Sequence, residues 1–115
     1  MIIRNNLELE RIKSLITRDL FCLTYPLLDA DKLTDNKIND LDIDTLEHTV
    51  LHNIEHIIIT QAEKVKMSYK ENRYKLDLDI WINKELFRLT NWFVYNKKDD
   101  VFEDAEVYAD NWEEL

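Results

Sequence analysis

Three histidines stand four residues apart in the segment HTVLHNIEH, and they are all the histidines in the chain. If the segment is helical, His48, His52 and His56 share one face, because a helix brings residues i and i+4 together. Histidines at this spacing can bind a metal ion or form a contact that changes with pH. A structural zinc site requires four ligands, so we expect a polar helix face here rather than a metal site. The three histidines are the chain's candidate metal ligands.

The acidic side chains are the second group that could do chemistry, and they occur in two blocks. The net charge is −9; residues 29–63 contribute −7 and residues 99–115 contribute −8, while residues 64–98 contribute +5. Nucleic acids bind cationic surfaces, so we expect no direct binding to nucleic acid. An acidic block instead suits a basic surface on another protein, and opposite charges speed such an encounter.

A row of carboxylates on a helix can also imitate the phosphates of a nucleic acid, because one helical turn rises about 5.4 Å and phosphates are spaced at the same order of distance. The alternative is a solvated helix face that only prevents aggregation. The carboxylates that we expect to contact a partner lie near the C-terminus and in the earlier acidic block. They are Asp40, Asp42, Asp44, Glu47, Glu103, Glu106, Asp110, Glu113 and Glu114.

The chain contains no glycine. Phosphate-binding loops, dinucleotide-binding turns, nucleophile elbows and EF-hands all need glycine at fixed positions, so these sites are excluded. The acidic stretch DADKLTDNKIND also fails as a calcium loop, because Leu33 and Thr34 stand where an oxygen ligand and a glycine are required. No nucleophile, base and orienting group occur in a recognisable pattern. We therefore expect no enzymatic activity and no cofactor.

Cysteine usage and hydropathy predict the compartment. Cys22 is the only cysteine, so an intramolecular disulfide is impossible, and we expect it to be a small buried side chain in a reducing cytoplasm. No apolar run approaches the roughly 18–20 residues of a membrane span. The N-terminal stretch MIIRNNLELE becomes charged too early for a signal peptide.

Two helices are predicted in the first half of the chain. Apolar residues recur every three or four positions over residues 6–23, where Asn5 (with Glu8) or Asn6 can cap the start and Pro26 ends the helix. Residues 24–42 lack a clear period and predict a packed connection, with or without one short helical turn. Residues 43–63 carry a second apolar stripe and predict a second helix.

The apolar period changes from 3.6 to 2 after residue 64, which predicts strands at 65–70, 73–82 and 86–95. Turns at residues 71–72 and 83–84 align the apolar sets. The first turn places Tyr69 opposite Tyr74, Met67 opposite Leu76 and Val65 opposite Leu78. The second places Ile80 opposite Phe87, Leu78 opposite Leu89, Tyr74 opposite Phe93 and Asp79 opposite Arg88. A helix at 84–96 is the alternative to the third strand.

The C-terminal stretch DDVFEDAEVYADNWEEL has its apolar residues in one helical stripe and its acids opposite. Asp100 and Glu103 have the spacing of a capping box, so a helix is predicted. Trp81, Leu86, Trp92 and Val94 would project from one face of the sheet, where the C-terminal helix, a partner or a second copy of the chain could pack.

Together these patterns predict one α+β domain over residues 1–115, with two N-terminal helices, a three-stranded antiparallel β-meander and a C-terminal amphipathic acidic helix. We expect an acidic cytoplasmic protein that occupies the basic surface of a nucleic-acid-acting enzyme, with Trp81 and Trp92 added to its contact residues. A phage anti-CRISPR or anti-restriction protein and a nuclease immunity protein or antitoxin would fit. The alternative is a structural or regulatory subunit whose histidine-rich helix face binds a metal or forms a homodimer.

Overall fold

The computed structural model of the chain describes residues 1–28 and 50–104. In chain order the elements are helix α1 (Asn6–Arg18), a 3₁₀ helix (Leu20–Leu23), helix α2 (Thr24–Leu28) and strands β1 (Ile54–Met67), β2 (Glu71–Ile82), β3 (Glu85–Asn96) and β4 (Val101–Asp104). The strands form one antiparallel sheet in the order β1-β2-β3-β4. The predicted combination of two N-terminal helices, a three-stranded meander and a C-terminal helix is therefore wrong.

The second predicted helix, over 43–63, does not form beyond residue 52, because β1 begins at Ile54. Residues 50–52 are helical, the strand begins at Ile54, and residues 43–49 lie outside the described part of the chain. The pairing of β1 with β2 is interrupted by bulges at Glu55, Thr60 and Val65. Each bulge inserts one residue into the alternation, so the residues facing the core are spaced by two and then by three. That mixed spacing imitates a helical stripe.

The hairpin of β2 and β3 forms as predicted. Ile80 lies opposite Phe87, Leu78 opposite Leu89, Tyr74 opposite Phe93 and Asp79 opposite Arg88. Residues 85–96 are a strand, so the helix considered for 84–96 does not form. The two turn residues both have positive φ, 50° at Asn83 and 68° at Lys84. This is the geometry of a two-residue hairpin turn whose twist matches that of the strands.

The hairpin of β1 and β2 turns two residues earlier than predicted. Met67 lies opposite Asn72, and Lys64 lies opposite Tyr74, so the predicted pairs of Tyr69 with Tyr74, Met67 with Leu76 and Val65 with Leu78 are wrong. Ser68 determines the position of the turn. Its hydroxyl accepts hydrogen bonds from the backbone N–H groups of Lys70 at 3.2 Å and Glu71 at 3.1 Å, as a short polar side chain does in a turn.

The predicted C-terminal helix does not begin at Asp100. Residues 101–104 form β4, which pairs with the end of β3, and residues 105–115 lie outside the described part. Phe102 is fully buried, with its ring centroid 5.9 Å from those of Tyr74 and Tyr95 and 6.2 Å from that of Phe93. Burial of this ring among three others favours the strand over the capping-box pattern.

Helix α1 begins as predicted. The Asn5 side chain accepts hydrogen bonds from the N–H groups of Leu7 at 2.9 Å and Glu8 at 3.3 Å. The helix ends at Arg18 rather than near residue 23, and Pro26 lies within α2. One side of α1 packs on the sheet, and the Glu8 carboxylate lies 2.7 Å from the Lys64 ammonium on β1. We call the sheet side under α1 the core face, and the opposite side the second face.

The core is formed between α1, the segment that follows it and the core face. Its fully buried side chains come from every region of the described chain, which shows that the helices and the sheet share one apolar core. The largest of them are Phe93, Phe102, Ile16, Leu23, Leu27, Leu76, Leu78, Ile80 and Val94, of which Val94 projects from the second face.

Candidate functional site

The second face carries the two predicted contact tryptophans. Trp81 of β2 lies opposite Leu86 of β3, and Trp92 of β3 lies opposite Lys75 of β2. Trp92 is 36% exposed, whereas Trp81 is partly buried. The predicted placement of Trp81, Leu86, Trp92 and Val94 on one side of the sheet is confirmed by this register, because residues directly opposite in antiparallel strands point the same way.

Charges of both signs surround these tryptophans. The Lys75 ammonium lies 5.6 Å from the centroid of a Trp92 ring. Arg88 Nε lies 3.7 Å from the Asp79 carboxylate, as the cross-strand pairing predicts. Asp77 accepts a hydrogen bond of 2.9 Å from the Thr90 hydroxyl. The face is thus aromatic with paired charges, and it is not an acidic surface.

The three histidines do not share a helix face. His56 lies on β1, opposite Trp81 on the second face, whereas His52 precedes the strand in the helical residues 50–52. His48 lies outside the described residues. Within residues 1–28 and 50–104, no group of three His, Cys, Asp or Glu side chains is placed to hold a metal ion. The predicted i, i+4 arrangement is therefore wrong for His52 and His56, because the chain changes from helix to strand between them.

The acidic residues divide unevenly between the described and the remaining parts of the chain. Residues 1–28 and 50–104 contain 13 acidic and 13 basic side chains, so the net charge of −9 is carried entirely by residues 29–49 and 105–115. Glu103 is the one predicted contact carboxylate in the described part, on β4 opposite Val94. The others, Asp40, Asp42, Asp44, Glu47, Glu106, Asp110, Glu113 and Glu114, lie outside it.

A polar cluster that the sequence did not predict joins α1 to the turn before β4. Asp100, which has a φ of 52°, accepts hydrogen bonds from the Tyr95 hydroxyl and from Arg18, and its carboxylate lies 3.9 Å from Arg11. The hydrogen bonds from Tyr95 and Arg18 lower the pKa of Asp100. Hydrogen bonds to Asp19 and Asp100 raise the pKa of Arg18. These hydrogen bonds connect α1 to the turn before β4.

Cys22 is buried, as expected from the sequence. Burial, together with nearby negative charge, raises the pKa of its thiol to about 12. A thiol that stays protonated at neutral pH is a poor nucleophile and a poor metal ligand. Cys22 therefore packs in the core as an apolar side chain.

Comparison with protein-family models, with curated proteins and with solved structures finds no match. Within the described residues, no helix combines the length and the apolar character that a membrane crossing requires.

Proposed function

We propose that the chain is a small acidic inhibitor that binds a basic, nucleic-acid-binding surface of another protein. The observation that supports this is the separation of charge along the sequence: residues 29–49 and 105–115 together carry −9, and the remaining residues hold equal numbers of acidic and basic side chains. Such a concentration of one sign speeds association with a surface of the opposite sign. It also repels nucleic acid, so the protein itself binds none.

The proposed mechanism is competition. The carboxylates of residues 40–47 and 106–114 take the positions that phosphates would occupy on the partner, while Trp81, Trp92 and Glu103 on the second face supply a less charged contact. The protein acts in the cytoplasm and performs no catalysis. A phage anti-CRISPR or anti-restriction protein, or the immunity or antitoxin partner of a nuclease, would work in this way.

The test begins with capture of partners from the source cell on the immobilised full-length protein, followed by mass spectrometry. The captured protein is then titrated with nucleic acid in the presence and absence of the acidic protein. We expect mutually exclusive binding that weakens as salt is raised, because exposed charges are screened beyond about 8–10 Å at physiological ionic strength.

The carboxylates are tested with the double substitution Glu113→Gln and Glu114→Gln. Its matched control is Glu10→Gln with Glu85→Gln, which removes two exposed carboxylates from the balanced part of the molecule. We expect the first variant to lower affinity for the captured partner by roughly fivefold, since each exposed pair contributes about 0.2–1 kcal/mol, and the control to leave it unchanged. Equal effects of the two variants, or simultaneous binding of nucleic acid and inhibitor, would contradict the proposal.

The metal-linked alternative placed His48, His52 and His56 on one helix face, and that placement is wrong because His56 lies on a strand.

A further inference from the structure

The start of the chain covers part of the outer edge of β1. Ile3 N–H donates to the Ala62 carbonyl at 2.8 Å, and Lys64 N–H donates to the Met1 carbonyl at 2.8 Å. Residues 1–3 thus pair as a short antiparallel segment beside residues 62–64. The chain then leaves the edge and enters α1 at Asn6. This edge of the sheet therefore already accepts an added strand over part of its length.

The same edge continues through residues 56–59, between the bulges at Glu55 and Thr60. No hydrogen bond from a described residue reaches these four positions from the outer side. Their sequence, His-Ile-Ile-Ile, contains no Lys, Arg, Asp, Glu or Pro, the residues with which proteins protect open edges from pairing. Ile58 is 49% exposed. An open edge of this composition is built to pair.

Space for the side chains of an added strand exists beside this stretch. A recess of about 300 Å³ lies between residues 54–58 of β1 and the neighbouring helical residues Lys13, Thr17 and Leu20. In strand addition, backbone hydrogen bonds supply affinity and side-chain pockets supply specificity.

We propose that residues 57–59 pair with the same residues of a second copy of the chain, forming one continuous sheet across a twofold axis. Such an interface is self-complementary, and the three uncharged isoleucines of one copy meet the three of the other without repulsion. Antiparallel neighbours directly opposite must point to the same side of the sheet, which is satisfied when Ile58 lies opposite Ile58 of the second copy and Ile57 opposite its Ile59.

Two features limit this interface to a dimer. The bulges at Glu55 and Thr60 end the regular pairing on each side, and residues 1–3 already occupy the edge at 62–64. The paired stretch is therefore short and has one register. In the dimer the β1 edges of both copies are paired with each other, so neither can bind a third chain. This inference does not depend on the proposed inhibitor function, because it uses none of the acidic residues.

The test is the oligomeric state of the full-length chain, measured by sedimentation equilibrium over a wide concentration range. We expect a monomer–dimer equilibrium for the unsubstituted chain. Ile58→Lys should raise the dissociation constant by at least about tenfold, because two like charges would lie directly opposite each other. The matched control is Val65→Lys. Val65 is also a β-branched residue on β1 and is 41% exposed. It lies next to the stretch that residues 1–3 cover and outside the proposed interface, so the Val65→Lys variant should still form the dimer.

Amide hydrogen exchange on the unsubstituted chain gives a second measurement, which does not depend on whether a substituted chain folds. Amides within residues 57–59 should exchange more slowly at high than at low protein concentration, while those of β3 should not change. A monomer at every concentration would overturn the proposal. So would a dimer that survives Ile58→Lys and is lost with Trp92→Ala, because that result would place the interface on the second face.

Discussion

At the scale of single residues, Asp19 joins the end of α1 to the start of β4. Its carboxylate accepts a hydrogen bond of 2.9 Å from Phe102 N–H and bonds of 3.0 and 2.9 Å from the Arg18 guanidinium. The residue is only 6% exposed. A buried backbone N–H requires a partner, so Asp19 completes the hydrogen bonding of a strand that begins 82 residues after it.

Replacement of Asp19 tests this role. Hydrogen bonds from Arg18 and from Phe102 N–H lower the pKa of Asp19 below its ordinary value of 3.8. The ionised carboxylate therefore stabilises the fold at neutral pH, and this contribution is lost as pH falls below that value and through the lower pKa of the folded state. We expect Asp19→Asn to reduce the free energy of unfolding at pH 7 by about 1–3 kcal/mol and to flatten its fall in acid.

Urea unfolding at neutral and acidic pH measures both effects. Glu10→Gln, which changes an exposed carboxylate on α1, serves as the control and should change stability by less than about 0.5 kcal/mol. If Asp19→Asn were as stable as the control, the carboxylate would not be needed to hold β4.

Some residues that act on their near neighbours were predicted from the sequence, whereas the contacts of Asp19 and Asp100 with residues far away in the chain were not. Asn5 caps the helix that begins beside it, and Cys22 is buried. The hydrogen bond between Asp19 and Phe102 spans 83 positions, and no local pattern marks either residue. The cluster around Asp100 escaped prediction for the same reason, since Arg18 is 82 residues away.

At the scale of elements, regular alternation decided which strands were predictable. β2 and β3 pair without a bulge, and apart from Asn91 their apolar sets match across the turn, so their register could be predicted. β1 was mistaken for a helix because its three bulges break the alternation. β4 is only four residues long, which is too short to show a period, and its strand conformation depends on the aromatic rings that surround Phe102.

The hairpin between β2 and β3 should be stabilised by a glycine. Lys84 has a φ of 68°, a conformation that is unfavourable for any residue with a Cβ atom. Its backbone N–H donates to the Glu55 carboxylate at 2.8 Å, and a glycine keeps that bond. We expect Lys84→Gly to raise the free energy of unfolding by about 0.5–1 kcal/mol, because Asn-Gly suits this turn best.

Chemical denaturation measures this change, and Lys70→Gly is the matched control. Lys70 also lies in a hairpin turn, but it is not among the described residues with positive φ. Glycine there should leave stability unchanged or reduce it, because it only increases the freedom of the unfolded chain. Stabilisation of both variants to the same extent would show that the positive φ of Lys84 does not lower the stability of the fold.

At the scale of the whole molecule, the sequence predicted acidic blocks, but it did not predict which of their carboxylates lie beside neutralising groups in the fold. Acidic blocks at 29–63 and 99–115 are evident from composition. Residues 1–28 and 50–104 carry no net charge, because they hold 13 acidic and 13 basic side chains. Glu55, Glu63 and Asp100 belong to the acidic blocks in sequence, yet the fold places them beside basic groups or a backbone donor.

The stability of the whole molecule depends on a small core, so one buried ring has a large effect. We expect Phe102→Ala to cost about 3–5 kcal/mol, a large part of the 5–15 kcal/mol typical of a domain. Thermal unfolding followed by circular dichroism measures this loss. Tyr69→Ala removes a ring that is 83% exposed and should have little effect. Similar melting temperatures for the two variants would contradict the central position of Phe102.

The pairing of residues 1–3 with β1 has a consequence for synthesis of the chain. Met1 bonds to a residue 63 positions later, and Arg18 to one 82 positions later. A ribosome that adds about 5–20 residues per second exposes α1 several seconds before the sheet on which it packs. During that interval the strands that cover Ile12 and Ile16 in the folded protein have not yet been synthesised. The nascent chain therefore exposes an apolar helix face to which chaperones can bind.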